Sequence, residues 1–211
     1  MSAELLGSDM SDEHTADDHR DHEHDHGHSH DDHGHDDDGH RHAHDEHHAH
    51  DVRSLSAAVF TISTSRSLEE DPAGDVIASA FEAADHEIAV REVLPDDYDT
   101  LQSQINQVVE RDDVEVVVTT GGTGVTPDDV TVEAVGDLFE KTLPGFGELF
   151  RRYSEDEIGT RVVGTRATAG VVQGVPVFCL PGSENAARLG SEEIIVPEAP
   201  HLAGLATRSE E

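Results

Sequence analysis

The chain has 211 residues, of which 47 are acidic and 13 basic, so its formal net charge is −34 at pH 7. A surface of this sign repels phosphate backbones and anionic lipids, which argues against nucleic-acid and membrane-surface partners. No apolar stretch approaches the roughly 20 residues of a membrane span, so a cytoplasmic protein is expected.

The N-terminal segment differs sharply in composition from the rest. Residues 1–50 hold 15 of the 17 histidines and 16 of the acidic residues. Because few apolar residues follow Leu6, the segment cannot bury enough surface to offset the entropy of ordering. We predict a disordered tail over 1–52 and a folded domain over 53–196.

The composition of this tail allows two interpretations. Imidazoles alternate with carboxylates, as in 24–35, and such stretches can bind Ni²⁺, Zn²⁺, Cu²⁺ or Co²⁺ through many ligand sets. The tail would then store or deliver a transition metal. The alternative is a solvated polyelectrolyte whose metal affinity is incidental.

Lysine is scarce in the whole chain, since Lys141 is the only one. This scarcity, together with the acidity, favours adaptation to high salt over an ordinary acidic protein.

The first half of the domain predicts two strands and two helices. The apolar run 57–63 predicts the first strand, and Asp71 with Pro72 provides a cap followed by proline at a helix start. The segment 87–94 predicts the second strand. Asp97 can cap the next helix.

The middle of the domain continues the alternation. The third strand, 114–118, is apolar throughout, as expected of a parallel strand covered by helices on both faces. Helices are expected over 127–139 and 147–158. Two more strands are expected over 169–173 and 175–180.

The end of the chain completes the pattern. Ser183 can cap a last helix to about residue 194, and 197–211 is predicted to be an acidic C-terminal tail. Alternating strands and helices predict an α/β fold, with three α/β/α layers and a mostly parallel sheet. In such sheets ligands bind at the carboxyl ends of the strands.

A glycine-rich turn directly behind the third strand is the most informative motif. Glycines let the backbone approach an anion, and a following helix supplies free N–H groups and partial positive charge. A carboxylate nearby would oppose a phosphate unless a cation lay between them, so we predict a phosphorylated ligand bridged by Mg²⁺. An ordinary tight turn is the alternative. The residues assigned to this turn are Thr120, Gly121, Gly122, Thr123 and Gly124.

Two carboxylates are candidates for catalysis and metal binding. Asp96 follows the second strand beside Pro95, and Asp129 follows the glycine turn. Each alone could be an ordinary turn or helix-start residue. Both together at strand ends suggest a Mg²⁺ pair, because Mg²⁺ prefers one or two carboxylates plus waters and phosphates.

The last strand ends in a second candidate anion-binding turn formed by Pro181, Gly182 and Ser183. A plain strand-to-helix turn is equally compatible with these residues. Thr165 and Arg166 lie upstream, and Arg166 could add a bidentate contact to a phosphate or carboxylate.

The single cysteine, Cys179, excludes an intrachain disulfide and favours a reducing compartment. It lies within an apolar run and is expected to be a packed core thiol.

Four segments together resemble the MoaB/MogA family of molybdenum cofactor biosynthesis proteins: 119–135, 143–152, 164–171 and 178–183. The resemblance covers about 55–195. It implies a molybdopterin adenylyltransferase that transfers AMP from ATP to the molybdopterin phosphate and releases pyrophosphate. It also implies Mg²⁺ as cofactor and a homotrimer or homohexamer. Molybdenum and tungsten pathways are not distinguished, because this step precedes metal insertion.

The resemblance also implies roles for individual residues. Asp96 and Asp129 match family positions associated with Mg²⁺ and catalysis, and the two glycine turns match loops that hold the pterin and its phosphate. Thr165 falls where the family often has serine. The stretch 63–66 lacks the aspartate often found there, and Glu148 carries no firm assignment. A non-catalytic pterin or metal carrier that uses the histidine-rich tail is the alternative function.

Overall fold

The computed structural model describes residues 54–207. Within this range six strands form one sheet: β1 (Ser56–Ile62), β2 (Glu87–Leu94), β3 (Val116–Thr120), β4 (Lys141–Thr142), β5 (Thr168–Val172) and β6 (Val175–Leu180). Their order is β2-β1-β3-β6-β5-β4. The first four strands in that order pair in parallel, and β5 and β4 add antiparallel at one edge. The mostly parallel sheet predicted from the sequence is confirmed.

The α-helices of the described residues are α1 (Pro72–Ala83), α2 (Tyr98–Val109), α3 (Thr131–Gly136), α4 (Pro144–Ile158), α5 (Glu184–Gly190) and α6 (Val196–Ala206). Three of the expected caps are present. Asp71 accepts a hydrogen bond from the Gly74 amide, Asp97 from the Thr100 amide and Ser183 from the Ala186 amide. Each side chain satisfies a backbone donor that the first helical turn leaves unpaired.

The core consists of two apolar layers, one on each face of the sheet. Val59 and Val118 pack with Ile77, Phe150 and Ile195 on the face covered by α1, α4 and the C-terminal helices. The alternate strand residues pack on the other face, with side chains of α2 and α3. These include Phe60, Val117, Leu101, Ile105 and Val135. Successive strand residues therefore serve opposite layers, as a sheet buried on both faces requires. The predicted three-layer arrangement is confirmed.

The prediction of an acidic C-terminal tail over 197–211 is wrong for most of that range, because a helix extends to Ala206. The chain continues from α5 through a π-helical turn, Ser191–Ile195, into α6, which extends to Ala206. Ala199 and Ala203 are buried against the core. Their burial holds this helix together although Pro200 lies inside it and removes a backbone donor.

Other differences are smaller. The helix expected over 127–139 is limited to α3, and α4 begins at Pro144, three residues earlier than expected, because proline fits the first helical turn. The two-residue strand β4 was not predicted. The tail predicted over 1–52 lies outside the described residues. Among 54–207 no helix combines the length and the apolar character needed to cross a membrane.

Candidate functional site

A cavity of about 420 Å³ opens at the carboxyl ends of β1, β3 and β6. It is lined by the loop after β1, by the glycine turn after β3, by Gly164 and Thr165, and by Pro181 and Gly182 after β6. Asp129 also lines it. The predicted position of the site, at strand ends near the middle of the sheet, agrees with this geometry.

The two glycine turns pack directly against each other. Gly121 has φ +106°, and a Cβ atom there would lie 2.3 Å from the Ile62 carbonyl oxygen. A Cβ atom on Gly182 would lie 3.1 Å from the Gly121 Cα. Only residues without side chains allow this approach of three backbone segments. The structure therefore brings the two predicted anion-binding turns together in one cavity.

Hydrogen bonds lock the turns in place. The Gly121 amide donates to the Leu180 carbonyl oxygen at 2.9 Å, and the Thr120 hydroxyl donates to the Pro181 carbonyl oxygen at 3.0 Å. Thr120 is fully buried and does not line the cavity, so its side chain holds the turns together. This corrects its predicted role as a ligand contact.

Asp129 orders the loop after the glycine turn. Its Oδ2 accepts hydrogen bonds from the Thr126 amide at 2.8 Å and the Thr126 hydroxyl at 2.6 Å. The Gly124 amide also donates to this carboxylate. The Thr126 hydroxyl, the amides and the charge of Arg166 lower the pKa of Asp129, so it is ionised near neutral pH.

Asp96 approaches the same turn from the loop after β2. A Cβ atom on Gly122 would lie 3.2 Å from Asp96 Oδ1, and one on Gly124 would lie 2.7 Å from Asp129 Oδ2. The two carboxylates thus flank one glycine turn. Burial raises the pKa of Asp96, and the charges of Asp129 and Asp128 raise it further. The structure therefore brings the two predicted carboxylates together at the carboxyl ends of the strands.

Arg166 does not point into the cavity. Its Nε donates to the Thr123 carbonyl oxygen at 3.3 Å and its Nη2 to the Asp129 carbonyl oxygen at 3.2 Å. Both Nη atoms pair with the Glu133 carboxylate. The guanidinium is therefore occupied by protein groups and braces the glycine turn, which corrects its predicted role as a ligand contact.

A second depression of about 320 Å³ adjoins the cavity and shares Thr165 and Pro181 with it. Phe150, Ile158 and Leu189 give it an apolar wall. Ser183 lines this depression rather than the glycine-lined cavity, while it caps α5. Thr165, which the sequence predicts to bind the ligand, therefore lies with Pro181 where the two depressions meet.

The loop after β1 contributes more residues to the cavity than the sequence predicted. Ser63, Ser65 and Arg66 line the cavity, and Arg66 Nη1 donates to the Gly182 carbonyl oxygen at 3.3 Å. Arg66 is exposed and brings a positive charge to the rim. The signal was available, since 57–63 was predicted to be a strand and Ser63 marks its carboxyl end.

Cys179 plays no part in the site. It is fully buried, and burial raises the pKa of its thiol to about 12. Such a thiol is protonated at physiological pH and is a poor nucleophile. The expectation of a packed core thiol agrees with this position.

Comparisons with known proteins support the family resemblance seen in the sequence. Residues 58–201 match the family described as "Probable molybdopterin binding domain". The chain is 40% identical over 159 residues to Molybdenum cofactor biosynthesis protein B of Bacillus subtilis (strain 168), covering 74% of this chain and 93% of that protein. It is 39% identical over 153 residues to the protein of the same name from Staphylococcus aureus (strain COL), covering 71% and 90%.

Solved structures agree with the sequence relatives. A crystal structure of a Molybdenum cofactor biosynthesis protein B superposes with a TM-score of 0.72 at 37% identity, over 74% of this chain and 98% of that one. The tungsten cofactor synthesizing protein MoaB from Pyrococcus furiosus superposes with a TM-score of 0.67 at 37% identity, over 74% and 99%. The chain therefore belongs to the MoaB/MogA family of molybdenum cofactor biosynthesis proteins, which carry a molybdopterin-binding domain.

Proposed function

We propose that this protein is a molybdopterin adenylyltransferase, which transfers AMP from ATP to the terminal phosphate of molybdopterin and releases pyrophosphate. The observation that carries the proposal is the cavity in which two glycine turns meet beside the carboxylates Asp96 and Asp129. Backbone approach and free amides suit phosphates, and the carboxylates suit the cation that phosphates bring.

The two adjoining depressions support a reaction between two ligands. The glycine-lined cavity is polar and suits phosphate groups, whereas Phe150, Ile158 and Leu189 give the second depression a wall that suits a flat ring system. Thr165 lies in both and can donate its hydroxyl at the junction. A phosphate attached to a ring could therefore bridge the two depressions.

The residues present fit a Mg²⁺ ion carried by phosphates better than a resident metal. Among residues 54–207 no group of three or more histidine, cysteine, aspartate or glutamate side chains could hold a metal ion. Mg²⁺ commonly binds through one or two carboxylates plus waters and phosphate oxygens. Asp96 is the better placed ligand, because the Thr126 hydroxyl and the amides of Thr126 and Gly124 occupy the Asp129 carboxylate, whereas Asp96 accepts a backbone hydrogen bond from Thr64. When bound, Mg²⁺ would neutralise charge on the triphosphate.

The chemistry needs positioning more than a strong base. An oxygen of the molybdopterin phosphate, already an anion near neutral pH, attacks the α-phosphorus of ATP. The bond from that phosphorus to the bridging oxygen breaks, and pyrophosphate leaves. The glycine turns and Arg66 hold the anions in place, and the ionised Asp129 keeps the turn in its binding shape.

The proposal is tested by incubating the protein with molybdopterin, ATP and Mg²⁺ and measuring adenylylated pterin and pyrophosphate. Asp96→Asn should lower the turnover number on the order of 100-fold, because the carboxylate that would hold Mg²⁺ on the triphosphate is lost. Asp112→Asn, at an exposed position in the loop before β3 and outside the cavity lining, removes an equal charge and serves as the matched control with near-normal turnover.

Two outcomes would contradict the proposal. Equal turnover of the Asp96→Asn variant and the wild type would remove Asp96 from the reaction. Binding of molybdopterin without pyrophosphate release would favour the carrier alternative.

A further inference from the structure

Thr131, the first residue of α3, carries a buried hydroxyl without a hydrogen-bond partner among the described residues. The side chain is fully buried, and only its backbone is engaged, since the Thr131 amide donates to the Gly122 carbonyl oxygen at 3.0 Å. A buried, unpaired hydroxyl costs stability, and a valine of the same shape would avoid the cost. The hydroxyl is therefore available to donate to a group that comes within reach.

The hydroxyl faces the glycine turn and Asp96. A Cβ atom on Gly122 would lie 2.2 Å from Thr131 Oγ1 and 3.2 Å from Asp96 Oδ1. The bare Cα of Gly122, with φ +62°, thus makes room for both oxygens on the same side of the turn. Asp96 is a hydrogen-bond acceptor when ionised, and the threonine hydroxyl is a donor in need of one.

We propose that Thr131 is a positioning residue that donates a hydrogen bond to the Asp96 carboxylate and fixes its orientation when the phosphates of the ligand are bound. This proposal rests on the proposed function, because it assigns Asp96 to the phosphate and cation end of the site. Hydrogen bonds to charged acceptors are the stronger ones, so one donor suffices to select a carboxylate orientation.

The test compares Thr131→Val, which keeps the shape and removes the hydroxyl, with Thr131→Ser, which keeps the hydroxyl. The Thr131→Val chain should unfold at the same temperature as the wild type or higher without ligand. It should show a smaller thermal shift with Mg²⁺ and ATP. Its turnover number should fall about 10-fold to 100-fold, the range for a hydrogen bond to a charged group. Thr131→Ser should restore both ligand-dependent quantities.

Thr61→Val is the matched control for stability. Its buried hydroxyl donates to Asp71 at 2.7 Å, so its loss should lower the unfolding temperature. An Asp96→Ala background, which has no side-chain acceptor, supplies a second control, in which Thr131→Val should have no further effect on the thermal shift or on turnover.

Several results would overturn the proposal. A Thr131→Val chain that unfolds at a lower temperature than the wild type, with unchanged turnover and thermal shift, would make the hydroxyl a structural group. Additive effects of Thr131→Val and Asp96→Ala would show that the two residues act independently. If the wild type gains stability from Mg²⁺ and ATP yet releases no pyrophosphate, the proposed function fails while the thermal shift still tests Thr131. A wild type without either response overturns both.

Discussion

At the scale of single residues, the two carboxylates of the site have different environments. Asp129 accepts hydrogen bonds that hold it ionised. Burial and neighbouring negative charge raise the pKa of Asp96, although the Thr64 amide donates to its carboxylate. A cation or a hydrogen-bond donor near Asp96 would lower this pKa. The glycine turn therefore lies between Asp129, which shapes the loop, and Asp96, whose pKa is raised.

Asp129→Asn should lower turnover by orders of magnitude while the fold stays intact. An asparagine retains one oxygen for the Thr126 donors, so the loop keeps part of its support, but the negative charge that would attract Mg²⁺ to the phosphates is lost. Pyrophosphate release and thermal unfolding measured on the same preparation separate the two effects. Near-normal turnover would show that Asp129 contributes only to loop structure.

His86 should make stability fall at mildly acidic pH. The side chain is buried, its Nδ1 accepts a hydrogen bond from the Leu55 amide, and burial lowers its pKa below the ordinary 6.5, against the opposite effect of Asp85 and Glu115. Its contribution is complete above pH 6.5. Below that value the unfolded chain takes up the proton first, so stability is lost as the pH falls through the folded-state pKa.

Urea unfolding at pH 7.5 and 5.5 tests this pH dependence against a His86→Gln variant. Glutamine can accept from the Leu55 amide and gains no proton, so the wild type should lose more unfolding free energy than the variant. The other 16 histidines are common to both chains, so the difference between them reports on His86. Equal losses would show that His86 does not link protonation to folding.

At the scale of elements, helix starts and buried strands were predictable because their signals are local. Asp71, Asp97 and Ser183 cap the helices that their positions predicted, and the apolar runs of β1 and β6 fix those strands. The short β4 carries no such signal, since backbone pairing with β5 creates it. Helix α6 was missed because Pro200 argues against a helix locally, whereas burial of Ala199 and Ala203 decides the outcome.

Some features of the candidate site also have local sequence signals, and others depend on contacts between distant residues. The glycine turns and the two carboxylates could be placed from the sequence, because strand ends share one edge of the sheet. The orientation of Arg166 could not, since its partner Glu133 lies 33 positions away. No single-sequence pattern shows that a guanidinium with several acceptors nearby will turn toward the protein instead of the cavity.

Arg166→Lys should loosen the glycine turn. An ammonium group lacks the planar fork that reaches the Thr123 carbonyl, the Asp129 carbonyl and Glu133 together. Amide hydrogen exchange over 121–131 should become faster, and the Michaelis constant for ATP should rise several-fold. Arg161→Lys, at an exposed position of the 3₁₀ segment Gly159–Gly164, is the matched control. Unchanged exchange in both variants would show that Arg166 does not brace the turn.

At the scale of the whole molecule, we expect residues 1–50 and the folded domain to differ in how much transition metal they retain. No cluster suited to a transition metal occurs within residues 54–207, whereas residues 1–50 contain 15 histidines. After dialysis from Ni²⁺, Zn²⁺ or Cu²⁺, the full chain should retain metal that a chain shortened to begin at Val52 does not. Equal metal content would end the storage hypothesis, and the proposed adenylylation should be unaffected by the shortening.

The bonds that close the glycine-lined cavity join distant parts of the polypeptide. Thr120 and Pro181 are 61 positions apart, and Arg66 and Gly182 are 116 apart. Such contacts form only after the intervening loops have lost their freedom, which places them late in folding. A polypeptide that ends before β6 lacks Pro181 and Gly182, so we expect a premature stop codon upstream of β6 to leave a fragment without the glycine-lined cavity.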